Sequence, residues 1–172
     1  VPSNLVAVGN GKLRSVKNLG DKTTYEWFVS NPINNYNVSV QIGNYVAVQD
    51  TFVKNSETHF MNHYVLDYNQ ELASNFFPQS KEVIRFYEKY FGDYQWYEDG
   101  YKLVEVPYLG MEHQSAVTYG NGFSMYNGVR SKSWPMYGVI DPLIMHETGH
   151  EWFGNSVTAS DPTHIWIHEG LQ

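Results

Sequence analysis

The feature that most restricts how this chain can fold is a pair of histidines close to its C-terminal end. His146 and His150 are four residues apart in the run HETGH. Because an α-helix has 3.6 residues per turn, side chains at this spacing lie on one helical face and can reach the same metal ion. Glu147 follows the first histidine, and its carboxylate can accept a proton from water at such a metal. The run therefore predicts a helix that carries a metal site.

The residues around the pair favour a helix of the required length. Asp141-Pro142 is a strong helix start, with Asp141 as the N-cap and Pro142 at the first helical position. Apolar residues on both sides of the histidines supply packing faces, and Gly154 is a typical C-terminal stop. The alternative, a helix whose histidines only bond core carbonyls, does not account for the glutamate between them.

Glu169 supplies a third ligand. It follows His150 after an interval of eighteen residues (151–168). Two histidines and one glutamate are a common three-ligand set for catalytic zinc, which keeps a fourth position open for water. We therefore expect one zinc ion held by His146, His150 and Glu169, with Glu147 as the general base.

Two other histidine pairs in the chain have the same spacing but lack these companions. His59 and His63 lie in an apparent strand with no glutamate after the first histidine, so a role on the sheet surface is expected. His164 and His168 flank Ile165-Trp166-Ile167 just before Glu169, and we expect them to support the site or to lie on the surface.

Longer motifs around these residues resemble a known family. The runs HETGHEWFGNSVT (146–158) and WIHEG (166–170) are similar to the zinc aminopeptidases of the aminopeptidase N type, gluzincins with the pattern HExxH-x18-E. Upstream, LGMEH (109–113) resembles the GAMEN substrate-recognition sequence of that family, and Thr118-Tyr119 matches its TY pair. The resemblance covers most of residues 76–172.

The resemblance implies a substrate site as well as a metal site. By this likeness Gly110, Met111, Glu112 and His113 bind the peptide substrate, and Glu112 holds its free α-ammonium group. The chain departs from the family pattern at four places: His113 and His168 each replace an asparagine, His164 an aspartate, and Leu109-Gly110 a Gly-Ala pair. These departures do not change the expected metal ligands or the general base. They do not indicate which amino-terminal residue of the substrate is preferred.

Patterning predicts strands first and helices later. Leu5–Val8 and residues 13–16 flank Gly9-Asn10-Gly11, which indicates a hairpin through Asn-Gly. Val38, Val40 and Ile42 alternate with polar residues, as in a half-buried strand. Residues 45–48 and 60–66 continue the strands.

The second part of the chain changes period. Apolar residues from Val83 to Phe91 recur at helical spacing before Gly92. Residues 102–106 predict a strand, and residues 110–119 another, at a sheet edge where a peptide substrate can pair. With the resemblance, the expected fold is α+β: part of an N-terminal antiparallel β-domain (1–73) followed by the N-terminal half of a thermolysin-like catalytic domain (74–172).

Composition excludes several classes of protein. The net charge of −7 without a basic cluster argues against a nucleic-acid partner. No run approaches the roughly 18 apolar residues of a membrane span. The absence of cysteine excludes disulfides and thiolate metal sites. No signal peptide is visible, and the compartment stays open between cytoplasmic and extracytoplasmic.

The expected function is that of a zinc-dependent aminopeptidase acting on peptides. Two alternatives remain open: a zinc endopeptidase or related hydrolase without amine recognition, and a catalytically silent binding or structural domain of the same fold. Because the chain ends three residues after Glu169, we expect it to be a fragment. Alone, it should hold zinc poorly, be inactive and self-associate, and the family's transition-state tyrosine would lie farther downstream.

Overall fold

The computed structural model describes residues 1–124 and 140–171 of the chain, which form a mixed α+β structure. The N-terminal strands and the longest sheet strands precede the helices, as the sequence pattern predicts. The described elements, in chain order, are β1 (Val6–Gly9), β2 (Lys12–Asn18), β3 (Thr23–Phe28), β4 (Val40–Gly43), β5 (Tyr45–Lys54), β6 (Glu57–Leu66), α1 (Gln70–Phe76), α2 (Ser80–Phe91), β7 (Leu103–Glu105), β8 (Gly110–Met111), β9 (Val117–Tyr119), α3 (Pro142–Gly149) and α4 (Trp166–Gly170).

The strands form one five-stranded sheet and two small antiparallel pairs. The large sheet has the order β5-β6-β7-β9-β8, in which β6, β7 and β9 run parallel and the two outer pairings are antiparallel. The small pairs are β1 with β4 and β2 with β3. Within the described residues β8 lies at one edge of the large sheet, so no further strand pairs with its outer side.

The large sheet has apolar packing on both faces. On one face, Leu103 and Val117 join the main core with Phe77, Ile84 and Ile144 from the helical part of the chain. On the other face, the second cluster consists of side chains from β1, β5, β6 and β7, namely Val8, Tyr45, Tyr64 and Val104. Successive side chains of a strand point to opposite faces of the sheet, so alternate residues pack into the two apolar clusters.

The predicted hairpin through Asn10-Gly11 is wrong. β1 pairs with β4, and β2 pairs with β3, so the two strands that flank Asn10 do not pair with each other. The side chain of Asn10 is buried and donates to the carbonyls of Asn37 and Gln114, and its oxygen accepts from the Ser39 N–H. The Asn10 side chain therefore links segments that are distant along the chain by buried hydrogen bonds. The turn preference of Asn-Gly, which is a local property, does not predict these contacts.

The orientation of the predicted half-buried strand at Val38–Ile42 is also wrong. Val40 and Ile42 of β4 are exposed by 61% and 51%, so the apolar face points outward in the described structure. The opposite face is turned inward. The Gln41 amide donates to the Tyr108 hydroxyl, and the Tyr45 ring lies against Gly43.

The segment predicted as one strand over residues 110–119 is two short strands. β8 and β9 pair antiparallel, with Gly110 opposite Tyr119, and the chain reverses between them. Ser115 lies in this reversal with a positive φ of 59°. The expectation that this segment reaches a sheet edge is met by β8, and Glu112 follows β8 directly.

Helix α2 and the start of α3 agree with the sequence pattern. Gly92 follows α2 with φ +94°, a backbone conformation that few other residues adopt, so the predicted stop is confirmed. Asp141 caps α3 by accepting from the N–H groups of Leu143 and Ile144.

The predicted end of α3 at Gly154 is wrong, because the helix ends at Gly149. His150 is its C-cap and keeps helical backbone angles, so the four-residue spacing of the histidines is preserved. The turns that follow widen, since Asn155 N–H bonds the His150 carbonyl and Val157 N–H bonds that of Trp152.

No helix among residues 1–124 and 140–171 is long and apolar enough to cross a membrane. The domain boundary at residue 73 and the self-association of the chain stay predictions. The five-stranded sheet takes strands from both sides of that boundary.

Candidate metal and substrate site

The N-terminus of α3 is fixed by a buried polar cluster centred on Asp141. One carboxylate oxygen caps the helix, and the other accepts from the Tyr119 hydroxyl at 3.0 Å and from the Asn121 amide at 3.1 Å. The side-chain oxygen of Gln79 accepts from the Asp141 N–H. Because Tyr119 belongs to β9, this cluster fixes α3 against the large sheet and thereby positions the residues of its last turn.

The three predicted metal ligands lie together. Nε2 of His146 is 3.6 Å from Oε2 of Glu169, and Nε2 of His150 is 3.8 Å from Oε1 of the same carboxylate. The two imidazole rings are nearly perpendicular, with centroids 4.9 Å apart. Tetrahedral ligand atoms about 2.1 Å from a zinc ion lie roughly 3.4 Å from one another. The separations and the donor set of two imidazoles and one carboxylate therefore fit a zinc ion.

The tautomer of His150 suits metal binding. Its ring is buried, and Nδ1 lies 3.0 Å from the Phe153 carbonyl, which accepts a hydrogen bond from a protonated Nδ1. The lone pair of the neutral ring is then on Nε2, the nitrogen that faces Glu169. Burial lowers the pKa of His150, which keeps the ring neutral and suitable as a ligand.

Glu147 lies beside the same cluster, and its environment differs from that of Glu169. One atom from each of His146, Glu147 and His150 lies within 4.8 Å of the others. Glu147 is 7% exposed, and burial together with the charges of Glu112 and Glu169 raises its pKa to about 8. Glu169 spans both Nε2 atoms and is half exposed. A buried carboxyl group that binds a proton near neutral pH suits acid–base chemistry, whereas Glu169 suits a ligand.

The segment predicted to bind substrate borders this cluster. A Cβ atom added to Gly110 would lie 2.7 Å from Oε1 of Glu147, so the β8 backbone lies against the Glu147 side chain. The carbonyl of Glu112 accepts from the Asn155 amide at 3.0 Å. The negative charge of Glu112 raises the pKa of Glu147 and opposes the lowering of the pKa of His150, so its carboxylate lies within electrostatic range of both.

The other two predicted substrate residues flank Glu112. Met111 pairs with Thr118 of β9, whose hydroxyl donates to the Met111 carbonyl at 3.2 Å. His113 is half-buried, and burial lowers its pKa. The roles of Gly110, Met111, Glu112 and His113, and those of the ligands and base, stay predictions.

The remaining histidines differ from one another in burial. His63 is fully buried in the core, where Nδ1 accepts from the Leu103 N–H at 2.9 Å and the ring packs edge-on against Phe77. The expected sheet-surface role is therefore wrong for His63. His168 is buried beside the metal cluster, and its Nε2 accepts from the Ala159 N–H, while His164 is exposed.

Sequence reasoning missed Tyr36, which approaches the site from the N-terminal strands. Burial, followed by the negative charges of Glu112 and Glu169, raises the pKa of the Tyr36 phenol to about 12. The neighbouring Asn37 donates from its side chain to the side-chain oxygen of Asn155. No local signal marks this contact, because Tyr36 and Glu112 are far apart along the chain.

Comparison with known proteins assigns the family. A model of the peptidase family M1 domain matches residues 75–172, more than half of the chain. The chain belongs to peptidase family M1. The matched region includes every residue of the candidate metal and substrate site, and the resemblance to aminopeptidase N-type enzymes is confirmed at this level.

One of the similar relatives extends the similarity over the N-terminal strands. Aminopeptidase M1-D of Oryza sativa subsp. japonica is 26% identical over 178 residues, covering 99% of this chain and 19% of that protein. Endoplasmic reticulum aminopeptidase 2 of Homo sapiens is 32% identical over 99 residues, covering 54% of this chain and 10% of that protein. The chain thus spans about a fifth or less of the length of the curated relatives it matches.

A solved structure shares the fold. The M1 zinc metallopeptidase from Deinococcus radiodurans superposes with a TM-score of 0.75 at 18% identity, covering 99% of this chain and 36% of that one. The similarity includes the N-terminal strands together with the sheet and helices around the candidate site. It confirms the α+β architecture expected from the sequence.

Proposed function

We propose that the protein is a zinc-dependent aminopeptidase that hydrolyses the first peptide bond of a peptide. The observation that carries this proposal is the convergence of His146, His150 and Glu169, with the buried Glu147 on the same helix. The names of the M1 relatives, which are aminopeptidases and a zinc metallopeptidase, support it.

In this proposal His146, His150 and Glu169 hold a single zinc ion. When bound, zinc supplies Lewis acidity, which polarises the scissile carbonyl and lowers the pKa of water. The hydrogen bond between His150 and the Phe153 carbonyl keeps one imidazole in the ligand orientation. The buried position of His150 and the half-exposed position of Glu169 leave one side of the cluster open to substrate.

Glu147 acts as the general base and then as the general acid. Its carboxylate accepts a proton from the attacking water and transfers it to the leaving amine. Its position on the helix that carries both histidines puts the carboxylate within reach of the same cluster. Burial also keeps bulk water away from the transferred proton.

Glu112 anchors the α-ammonium group of the substrate. The peptide backbone pairs with the edge strand β8, where Gly110 lies against Glu147. The first residue of the peptide then reaches Glu112, and the bond after it lies at the metal cluster. A charge-assisted contact of this kind contributes on the order of 1.5–3 kcal/mol, so a free amino terminus is strongly favoured.

The test is Glu147→Gln in the purified full-length protein, with bound zinc and turnover of an aminoacyl amide measured together. Glutamine has the same size but is not a base, so we expect unchanged zinc content and a loss of kcat of about 10²–10⁴-fold. Glu71→Gln, an exposed glutamate in the first turn of α1, is the matched control and should keep full activity. Near-normal turnover by Glu147→Gln would refute the assignment.

A second substrate separates aminopeptidase from endopeptidase activity. The proposal predicts that an N-acetylated peptide is not cleaved, because it has no ammonium group for Glu112. Efficient cleavage of the acetylated peptide would favour an endopeptidase. Undetectable zinc in elemental analysis of the full-length protein would favour a catalytically silent domain.

A further inference from the structure

The backbone of Ser115 is held in an unusual conformation close to the proposed amine anchor. Ser115 lies three residues after Glu112, in the reversal between β8 and β9, and its side chain is fully buried. Its φ of +59° falls in the left-handed region, which residues with a side chain rarely adopt. Such a conformation persists only where surrounding contacts impose it.

Three hydrogen bonds impose this conformation, and they come from three separate segments. The Ser115 N–H donates to Oε1 of Glu151 at 2.8 Å, and the Ser115 carbonyl accepts from Nζ of Lys102 at 2.7 Å. The Ser115 hydroxyl oxygen accepts from the Gly11 N–H at 2.8 Å. Both backbone polar groups of Ser115 are therefore bonded to ionisable side chains.

Lys102 and Glu151 are themselves buried, with exposures of 4% and 1%. Burial lowers the pKa of Lys102 and raises that of Glu151, while the charge of each opposes the shift of the other. Buried charges are costly unless they are paired and hydrogen-bonded. Lys102 has a second acceptor in the Gly11 carbonyl at 2.7 Å, so its ammonium group is held between Gly11 and Ser115.

This arrangement connects the metal cluster with the proposed amine anchor. Glu151 follows the ligand His150 directly, and its other oxygen accepts from the Asn155 amide at 3.4 Å. The same amide donates to the Glu112 carbonyl at 3.0 Å. The segment after α3 thus contacts the Glu112 segment at two points, Ser115 and Glu112 itself.

We propose that Lys102 and Glu151 are positioning residues that clamp Ser115 and thereby set the place of the Glu112 carboxylate relative to the metal ligands. Neither residue touches the substrate. The clamp acts through Glu112, so it governs how well a free amino terminus is bound. This inference rests on the proposed aminopeptidase function and on the role of Glu112 in it.

A purely structural role for Lys102 and Glu151 would behave differently. It would change the free energy of unfolding, and its effects on catalysis would be independent of Glu112. A positioning pair acts on substrate only through Glu112, so its effect on kcat/KM disappears once Glu112 is removed. A double-mutant cycle separates the two, because coupling appears as non-additivity.

The experiment uses Lys102→Met, Glu112→Ala and the double variant in the purified full-length protein, with an aminoacyl amide as substrate. We expect Lys102→Met to raise KM about tenfold or more, with kcat changed by less than about threefold and zinc content unchanged. In the Glu112→Ala background the same substitution should change kcat/KM by less than about twofold. Lys54→Met is the matched control: it removes a lysine that bonds Glu88 and Asp93 instead of Ser115, and should leave KM unchanged.

Multiplicative effects of Lys102→Met and Glu112→Ala, or an unchanged KM in Lys102→Met, would overturn the clamp. If Lys102→Met does not fold, Glu151→Gln tests the same point, since glutamine keeps the volume and an acceptor for Ser115 but removes the charge that faces Lys102. It should raise KM about threefold or more, again only when Glu112 is present. If Glu112→Ala alone leaves KM unchanged, the amine anchor itself fails, which is a failure of the proposed function.

Discussion

His63 illustrates how the surroundings of a single residue decide its chemistry. It has the same four-residue spacing to His59 as His146 has to His150, yet it lies on β6 and points into the core. Because Nδ1 accepts from the Leu103 N–H, the neutral ring carries its proton on Nε2. Protonation of Nδ1 would break that hydrogen bond and place a charge in an apolar core.

The pKa of His63 predicts a pH dependence of stability. Burial lowers it from 6.5 to about 4, with Lys81 and Lys102 acting in the same direction and Asp50 against. Between these values the unfolded state binds more protons than the folded state, so stability is complete above pH 6.5 and falls as the pH drops toward 4. Between pH 7.5 and pH 5 the titration of His63 should lower the free energy of unfolding by about 2 kcal/mol.

Urea unfolding of the protein and of His63→Asn at both pH values measures this contribution. Asparagine offers an acceptor for the Leu103 N–H and does not titrate. On acidification the free energy of unfolding of the variant should therefore fall by about 2 kcal/mol less than that of the unaltered protein. Equal losses in the two proteins would show that His63 is not responsible.

Helix α3 shows which parts of an element the sequence predicts. Its start is specified locally, because Asp141 and Pro142 satisfy and shape the first turn by themselves. Its end is specified by contacts made elsewhere. Glu151 bonds the Ser115 N–H, and the Trp152 indole N–H bonds the Gly92 carbonyl, so the chain leaves the helix before Gly154. A propensity argument has no access to such partners.

The cap of α3 should carry more of the stability than an ordinary N-cap. Asp141→Ala removes the cap, worth about 1 kcal/mol, and also leaves the buried Tyr119 hydroxyl and Asn121 amide without this acceptor. We expect a loss of roughly 3 kcal/mol in the free energy of unfolding, measured by urea denaturation. Asp141→Asn keeps an oxygen for the cap and should lose less. A loss below about 1 kcal/mol for Asp141→Ala would mean that the cluster contributes nothing beyond the cap.

The same contrast between local and distant contacts holds for the candidate site. The HETGH run and Glu169 could be predicted because helix spacing and donor chemistry are properties of the sequence, and the structure brings these residues together. The hydrogen bond between Ser115 and Glu151 and the position of Tyr36 near Glu112 could not be predicted. They depend on pairing between segments that are tens of residues apart, and the Asn10-Gly11 signal pointed to a hairpin that does not form.

At the scale of the whole molecule, hydrogen bonds from polar side chains connect the N-terminal strands to the candidate site. Asn10 is the clearest case: its amide donates to the Asn37 carbonyl at 3.0 Å and to the Gln114 carbonyl at 2.7 Å. Its oxygen accepts from the Ser39 N–H at 2.8 Å. One buried side chain thus joins the segment that carries Tyr36 to the turn that carries Glu112.

Asn10→Ala should therefore weaken both the fold and the site. It leaves three backbone groups without this partner, at about 1–3 kcal/mol each, so we expect the free energy of unfolding to fall by roughly 3 kcal/mol or more. Asn18→Ala is the matched control, because Asn18 bonds a single backbone N–H, that of Gly20, on the surface, and its loss should be within about 0.5 kcal/mol. Urea unfolding gives both values. Where Asn10→Ala remains folded, KM for an aminoacyl amide should rise, since Gln114 adjoins Ser115 in the clamped turn. A variant as stable as the control, with unchanged KM, would mean that the two segments are held together without Asn10.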